Sequence, residues 1–210
     1  MQEKLRLSSK DARYLIAFFI IITVTVSALV YLEVTPSPTN QFFSMWVLGS
    51  SGLTESYFPA DNPNLYPGES VNWTLGVYNH MSSLEYVVLR VKLLNATETG
   101  PNEENNVPSP TPEIYEFERV LVDNETWSIP FVWTVMNVTS AQGYVIISGL
   151  QIDGTSLTGN LAEAIGGFNY RLVFELWFYD PTTNNLTFSW STNSTSYSVW
   201  AQLWFNATAV

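Results

Sequence analysis

An uncharged apolar stretch from Tyr14 to Leu32 constrains the fold of this chain more than any other feature of its sequence. Its nineteen residues are mostly Ile, Val, Leu and Phe, and none carries a charge. As an α-helix, with about 1.5 Å of rise per residue, it would be roughly 28 Å long, close to the hydrocarbon thickness of a bilayer. Tyr14 and Tyr31 lie near its ends, where aromatic rings favour the headgroup level. The stretch therefore predicts a single transmembrane helix over residues 14–32.

Basic residues are concentrated before this stretch. Four of the eight Lys and Arg residues precede it, namely Lys4, Arg6, Lys10 and Arg13. The positive-inside rule then predicts a cytoplasmic tail over residues 1–13 and an extracellular location for the rest. We expect a single-pass protein of the cell membrane, in contact with the lipid bilayer through residues 14–32.

Two alternatives to a retained anchor are open. A cleaved signal peptide would use the small residues Val26, Ser27 and Ala28, but the apolar run continues past Ala28. A pilin-like filament subunit would also join an apolar helix to a β-domain. Pilin leaders usually end with a small residue after a basic one, whereas here Arg13 runs directly into Tyr14.

Charge limits the partners of the segment that follows the anchor. After residue 32 the chain has 4 Lys and Arg against 17 Asp and Glu, a formal charge of about -13. Such a surface repels nucleic acid and anionic lipid headgroups.

The chain has no cysteine, so packing must hold the domain together without disulfides. Pro36 and Pro38 predict a stalk linker over residues 33–41, because proline cannot continue a helix.

Apolar residues alternate with polar ones in most of residues 42–210, the pattern of half-buried strands. Residues 71–77 show it most clearly, with Val71, Trp73, Leu75 and Val77 on one face. We predict nine strands, at residues 42–48, 71–78, 84–94, 114–121, 127–135, 144–152, 168–179, 186–190 and 197–205. The predicted fold is all-β, an antiparallel immunoglobulin-like β-sandwich forming one extracellular domain.

Some local features modify this prediction. Asn160 followed by Glu163 favours a short helix that Gly166 and Gly167 would end. Residues 95–112 lack an apolar pattern and are predicted to be a mobile, linker-like loop. Pro130 indicates an edge strand or a bulge. Arg90 and Lys92 are expected to point outward.

One segment resembles a known family. The aromatic strand beginning near Phe43, the motif Y-P-G-E-S-V-N-W-T-L-G-V-Y-N-H, its closing Asn79-His80 pair and Tyr86 in the next strand carry the resemblance. Between Phe43 and Leu94 the chain is similar to an archaeal family known as domain of unknown function 1616. The resemblance implies an archaeal envelope protein with an immunoglobulin-like fold, and it implies no reaction.

Catalytic and metal-binding patterns are missing from the sequence. His80 is the one histidine and there is no cysteine, so neither a nucleophilic triad nor a zinc site can be assembled. No phosphate-binding loop or dinucleotide motif is present. We therefore predict a non-enzymatic protein without cofactor or metal.

Some weaker hypotheses stay open. Acids such as Glu103 and Glu104 are predicted to be solvated, although a glycosidase pair would also need carboxylates. Four aspartates are conceivable calcium ligands outside any EF-hand spacing: Asp61, Asp123, Asp153 and Asp180. His80 is expected to form a structural hydrogen bond, with a ligand-binding or pH-sensing role as the alternative.

Glycosylation motifs agree with the predicted topology. All seven Asn-X-Ser/Thr sequons follow the apolar stretch, at Asn72, Asn95, Asn124, Asn137, Asn185, Asn193 and Asn206. We predict covalently attached glycans on some of them.

Four aromatic residues are predicted to face outward, because they alternate with the apolar residues of their strands: Trp177, Tyr179, Trp200 and Trp204. Exposed aromatic residues often mark contact surfaces. Alternatively, a loop or the short helix covers them, or both faces of a central sheet are buried.

We expect an interaction module or an accessory subunit that binds other envelope or membrane proteins. The alternative functions are a pilin-like filament subunit and a carbohydrate-binding surface module.

Overall fold

The computed structural model describes residues 9–34, 41–192 and 194–209, and the chain divides into two compact units, residues 1–39 and 40–210. The first unit contains helix α1, Ser9–Val34, whose described side chains are those of residues 14 and 16–27. Thr23 and Thr25 each donate a hydrogen bond to the carbonyl four residues earlier. A search of the described residues for a helix long and apolar enough to cross a bilayer finds none. Most of the predicted tail (residues 1–8) and stalk (residues 35–40) lies outside the described residues.

The second unit is built from β-strands. Its described residues form thirteen strands and one short 3₁₀ helix, Pro59–Asp61. The strands are β1 Phe42–Leu48, β2 Asn64–Leu65, β3 Ser70–His80, β4 Glu85–Leu94, β5 Tyr115–Leu121, β6 Thr126–Ala141, β7 Tyr144–Ile152, β8 Thr155–Ile165, β9 Tyr170–Asp180, β10 Asn185–Thr187, β11 Ser189–Thr192, β12 Thr195–Ser198 and β13 Trp200–Ala207.

The strands form two large sheets and one small one. The first sheet has the order β1-β3-β6-β7-β8, and the second has the order β2-β13-β9-β4-β5, with β10 also paired to β9. β11 and β12 form a separate hairpin. The strand pairs of the described residues are antiparallel except the short β2–β13 pair, which is parallel. The fold is therefore all-β with predominantly antiparallel pairing, in agreement with the coarse prediction.

Aromatic side chains from both large sheets meet in one core. Phe174 of the second sheet lies 5.2 Å from Phe131 and 6.1 Å from Trp73 of the first, measured between ring centroids. Near one end of the sheets, Trp133 and Phe205 approach to 4.9 Å. All five side chains are almost fully buried. Edge-to-face packing of this kind stabilises the core beyond the burial of apolar area alone. These contacts join the two sheets as a sandwich.

The alternation correctly predicted the inward faces of the central strands. Val71, Trp73, Leu75 and Val77 of β3 are buried, as the alternation requires. The β9 residues predicted to point inward are buried from Tyr170 to Phe178, but Val173 and Glu175 on the opposite face are buried as well. Phe168 lies before the strand and is 58% exposed. The last predicted strand, residues 197–205, is wrong in its first residues. Tyr197 belongs to β12 and is exposed, because the chain breaks into a hairpin before β13.

The predicted helix after Asn160 is wrong. Residues 155–165 form edge strand β8, which pairs with β7 and places Ala162 and Ala164 in the core. Ladder hydrogen bonds to β7 satisfy the backbone and outweigh a local helix-capping signal. β2 was also not expected, because its two residues carry no alternation of their own.

Pro130 lies in a part of β6 where the strand can accommodate a proline. It pairs with Thr74 of β3, but β7 pairs with β6 from Trp133 onward. The part of β6 that contains Pro130 is therefore a local sheet edge, where a missing N–H group leaves no ladder bond unmade.

Residues 95–112, predicted to be a linker-like loop, make contacts with the second sheet. Their backbone packs over the outer face of the second sheet, where Pro101 and Ser109 are buried. Lys92, predicted to point into solvent, lies on that outer face but is 3% exposed beneath this segment. We call residues 95–112 the covering segment.

Candidate functional site

The predicted outward residues lie on the outer face of the second sheet, but they do not form one continuous surface. Trp204 is 40% exposed and Tyr179 is 37% exposed, whereas Trp177 and Trp200 are half-buried. Along β9 the buried residues Val173 and Glu175 separate the two ends of this face. Each end therefore has to be considered separately.

Trp204 forms one end together with Arg171. The two residues are directly opposite each other on β13 and β9, and the Arg171 guanidinium carbon lies 4.8 Å from the centroid of the Trp204 ring. The guanidinium also donates to Gln202 Oε1 at 2.9 Å and to the Glu98 carbonyl at 2.6 Å. The indole is thereby held in place by a stacked cation while much of its surface stays accessible.

Trp177 forms the other end and is largely covered by side chains of its own domain. The Arg90 guanidinium carbon lies 4.4 Å from its ring centroid, and the Phe188 ring lies 5.7 Å away. The indole nitrogen of Trp177 donates to Glu175 Oε2 at 3.1 Å. Tyr179 donates its hydroxyl to Asn184 Oδ1 at 2.6 Å. These contacts give Trp177 a structural role.

A buried ion pair occupies the middle of the outer face. Lys92 Nζ lies 2.9 Å from Glu175 Oε2, and both side chains are nearly inaccessible to solvent. The covering segment completes the network through Ser109, whose carbonyl accepts from Lys92 Nζ at 2.6 Å. The Ser109 N–H donates to Glu175 Oε1 at 2.7 Å. Every charged atom of the pair thus has a partner, the condition under which a buried pair is tolerated.

Arg171 provides the second attachment of the covering segment. Burial lowers the pKa of its guanidinium, and the nearby Glu98 carboxylate opposes that shift. The group stays charged at any physiological pH. Together, Arg171 and Lys92 fix the segment at both of its ends against the sheet.

The covering segment was the main feature that the sequence interpretation missed. One signal was available, because Lys92 occurs in a strand whose neighbours on both sides are apolar, Val91 and Leu93. A lysine at such a position needs an acceptor if anything packs over it. Nothing in the local sequence indicated that Glu175 and Ser109 would supply the acceptors.

The sequons differ in how their amide groups are used. Asn72, Asn124, Asn137 and Asn185 are exposed, Asn95 and Asn206 are half-buried, and Asn193 lies outside the described residues. The Nδ2 atom of Asn95 donates to the Glu163 carbonyl at 2.8 Å, and that of Asn206 donates to Asn64 Oδ1 at 2.8 Å. For Asn72 the described residues provide no side-chain hydrogen bond.

His80 has the structural hydrogen bond that was expected. Its Nδ1 atom lies 2.7 Å from Asn124 Oδ1, which also accepts from the Tyr78 hydroxyl at 2.9 Å. The imidazole stacks on Tyr78 with ring centroids 5.9 Å apart. This arrangement links the end of β3 to the turn before β6.

The four aspartates considered as calcium ligands do not come together. Asp123, Asp153 and Asp180 each accept a hydrogen bond from a backbone N–H of their own surroundings, and Asp61 lies in the 3₁₀ helix. A hydrogen bond from the Thr182 N–H lowers the pKa of Asp180. Within the described residues no group of three His, Cys, Asp or Glu is arranged to hold a metal ion.

Comparisons with known proteins give little further guidance. No protein-family model matches the chain, and no curated protein matches it. Among solved structures, a mutant beta-glucosidase from Listeria innocua in complex with laminaribiose aligns with a TM-score of 0.33 and 12% identity, over 76% of this chain and 16% of that chain. The same enzyme in complex with glucose aligns with a TM-score of 0.31 and 11% identity, over the same shares. The chain thus spans about a sixth of the length of these enzymes.

Proposed function

We propose that this protein is a non-enzymatic, single-pass surface protein whose immunoglobulin-like sandwich binds another envelope or membrane protein. The binding surface is the end of the second sheet that contains Trp204 and Arg171. In this proposal residues 14–32 anchor the chain in the membrane, and the acidic domain lies outside with glycans on some of its sequons.

The single observation that carries the binding proposal is the pairing of an accessible tryptophan with a fixed arginine. Tryptophan and arginine are the residues most enriched at the centres of protein interfaces. Arg171 is already ordered by Gln202 and by the Glu98 carbonyl, so binding would cost little side-chain entropy there. Trp204 presents an apolar surface beside it for a partner to cover.

The anchor and the topology rest on the sequence. The uncharged run and the basic residues before it favour insertion with the N-terminus inside. Extraction of native membranes with alkaline carbonate, followed by intact-mass analysis, tests this part. A protein that stays in the membrane fraction with residues 14–32 present agrees with the proposal, and a mature chain beginning at Leu29 contradicts it.

The binding proposal is tested by co-purification from native membranes with the full-length chain. Trp204→Ala should weaken association by about 2 kcal/mol or more, the cost of truncating a hot-spot tryptophan. The matched control is Phe42→Ala, which removes an aromatic side chain that is equally exposed, 39% against 40%, on the first sheet. The control variant should retain the partner.

Stability measurements separate an interface role from a core role. Phe174→Ala should lower the unfolding free energy by roughly 3–5 kcal/mol, because it creates a cavity in the sandwich core. Trp204→Ala should cost much less. A thermal melt in which both variants lose the same stability would make Trp204 a core residue and overturn the proposed surface.

A further inference from the structure

A concave site lies at the end of the sandwich opposite to the one at which the chain enters the domain. The chain enters at β1, beside the Phe42–His80 pair, whereas β6 ends and β7 begins at the other end of the first sheet. There the ends of the two sheets enclose a cleft of about 370 Å³. The lining residues are Asn95, Ala96, Thr97, Tyr144, Glu163, Ala164, Ile165, Phe168 and Asn169. We call it the end cleft.

The end cleft has an apolar wall that is open to solvent. Phe168 is 58% exposed, Ile165 is 71% exposed and Tyr144 is 41% exposed. Tyr144 and Ile165 are directly opposite each other on β7 and β8, so their side chains lie on the same face. Three large apolar side chains exposed at one site are uncommon unless a ligand or a partner covers them.

The one charged residue in the described lining is Glu163, and each described Lys or Arg of the domain contacts another group. The domain contains four basic residues after the anchor, and each is engaged elsewhere. Arg90 pairs with Glu116, Lys92 with Glu175, Arg119 with Glu125, and Arg171 with the Glu98 carbonyl and Gln202. Among the described residues the Glu163 carboxylate therefore has no ion-pair partner.

Hydrogen bonds between the segments that line the cleft hold it in shape. Asn95 Nδ2 donates to the Glu163 carbonyl at 2.8 Å, and the Gly166 N–H donates to the Gly143 carbonyl at 2.9 Å. The Tyr170 hydroxyl donates to the Val145 carbonyl and so joins β9 to β7 below the cleft. A pre-formed cavity with a few polar groups is the usual form of a ligand site.

These observations indicate the chemistry of the occupant. We propose that the end cleft binds an alkylammonium group, with the apolar stem against Phe168 and Ile165 and the charge beside Glu163 and the Tyr144 ring. Aromatic rings attract ammonium groups through their electron-rich faces. The net charge of -11 attracts cations to the whole surface and disfavours anionic ligands. The lining of the end cleft does not include Trp204 or Arg171.

The test is a titration of the detergent-solubilised full-length protein with n-butylammonium, followed by calorimetry or by ligand-observed NMR. Butan-1-ol, with the same butyl stem, serves as the neutral comparison, and butyrate, with a propyl stem, serves as the anionic one. Nα-acetyl-lysine methylamide tests whether the amine is recognised as part of a protein. We expect binding of both amines and at least threefold weaker binding of butan-1-ol, the range of an exposed charge interaction.

Variants locate the binding in the end cleft. Glu163→Gln should weaken butylammonium binding about threefold, and Phe168→Ala should weaken it by a similar factor. Glu103→Gln removes another exposed carboxylate, one outside the cleft, and should leave the affinity unchanged. The proposal would be overturned by equal affinity for butan-1-ol and butylammonium, or by an unchanged affinity in Glu163→Gln. Stronger binding of a neutral disaccharide than of butylammonium would also overturn it. None of these outcomes bears on Trp204, whose role is tested by partner co-purification.

Discussion

At the scale of single residues, the Lys92–Glu175 pair determines whether the covering segment stays on the sheet. We predict that Lys92→Met lowers the unfolding free energy by about 3–5 kcal/mol, because Glu175 would remain as a buried, uncompensated charge. Chemical denaturation of the full-length protein measures this loss. Faster amide hydrogen exchange at Ser109 should accompany it, since that N–H donates to Glu175.

The double variant Lys92→Met with Glu175→Gln provides the control for this prediction. Glutamine removes the charge and keeps one acceptor oxygen, which can accept from either the Ser109 or the Trp177 N–H group. The double variant should recover at least half of the lost stability, because contacting residues are not additive. A single variant that costs less than about 1 kcal/mol would show that the segment is held by other contacts.

Tyr170 gives the domain a predictable response to alkaline pH. Burial raises the pKa of its hydroxyl to about 12, from an ordinary value of 10.0. A raised pKa means that the folded state resists deprotonation more than the unfolded state does. Stability is therefore full below the unfolded pKa and falls as pH rises from about 10 to about 12.

Tyr170→Phe tests this assignment. At neutral pH the substitution should cost about 1 kcal/mol, the net value of the hydrogen bond to the Val145 carbonyl. Above pH 10 the variant should lose stability less steeply than the wild type. Denaturation series at neutral and alkaline pH measure both effects. Identical alkaline slopes in the two proteins would assign the sensitivity to other groups.

At the scale of elements, edge strand β1 is fixed to β3 by a tryptophan lying over a glycine. Trp46 and Gly76 are directly opposite each other, and a Cβ atom at Gly76 would overlap the Trp46 indole. Gly76→Ala should therefore destabilise the domain by about 1–3 kcal/mol, the usual cost of overpacking. In a Trp46→Ala background, Gly76→Ala should be nearly neutral, because the overlap with the indole is removed. Additive losses in a double-mutant cycle would contradict this packing.

The elements also show which parts of the structure the sequence could predict. Alternation identified the inward faces of β3, β6 and β9, because each of these strands has one face in the core, around Trp73, Phe131 and Phe174. It failed at β8, where pairing with β7 outweighed a helix signal at Asn160. The two-residue period of a strand indicates which of its faces is buried, but it does not indicate which strands pair with each other.

The candidate sites were predicted less well, since they depend on contacts between distant segments. Trp204 was correctly placed outside the core by its position between Leu203 and Phe205. The cover over Lys92 was not predicted, because its acceptors come from Ser109 and Glu175, in segments with no shared pattern. The end cleft combines loops from both sheets, and an unpaired Glu163 is recognisable only when the partners of every cation are known.

At the scale of the whole molecule, the acidic domain has two surfaces with different chemistry. Trp204 with Arg171 suits a protein partner, and the end cleft suits an alkylammonium group. The domain's cations are engaged in its own contacts, so its surface charge remains strongly negative. A partner that covers either surface should accordingly be neutral or basic, and the association rate of a basic partner should fall as salt concentration rises.

Glycosylation tests the orientation of the whole chain and the accessibility of each sequon together. We predict the highest occupancy at Asn72, which is exposed and whose amide makes no hydrogen bond to the described residues. We predict the lowest at Asn95 and Asn206, because their Nδ2 atoms donate to the Glu163 carbonyl and to Asn64. Glycopeptide mass spectrometry of native material measures the order, with Thr74→Ala as the control that removes the Asn72 sequon. Equal occupancy at Asn72 and Asn95 would show that the folded amide contacts do not limit modification. If all seven sequons are bare in a host that glycosylates its surface proteins, the extracellular placement itself is contradicted.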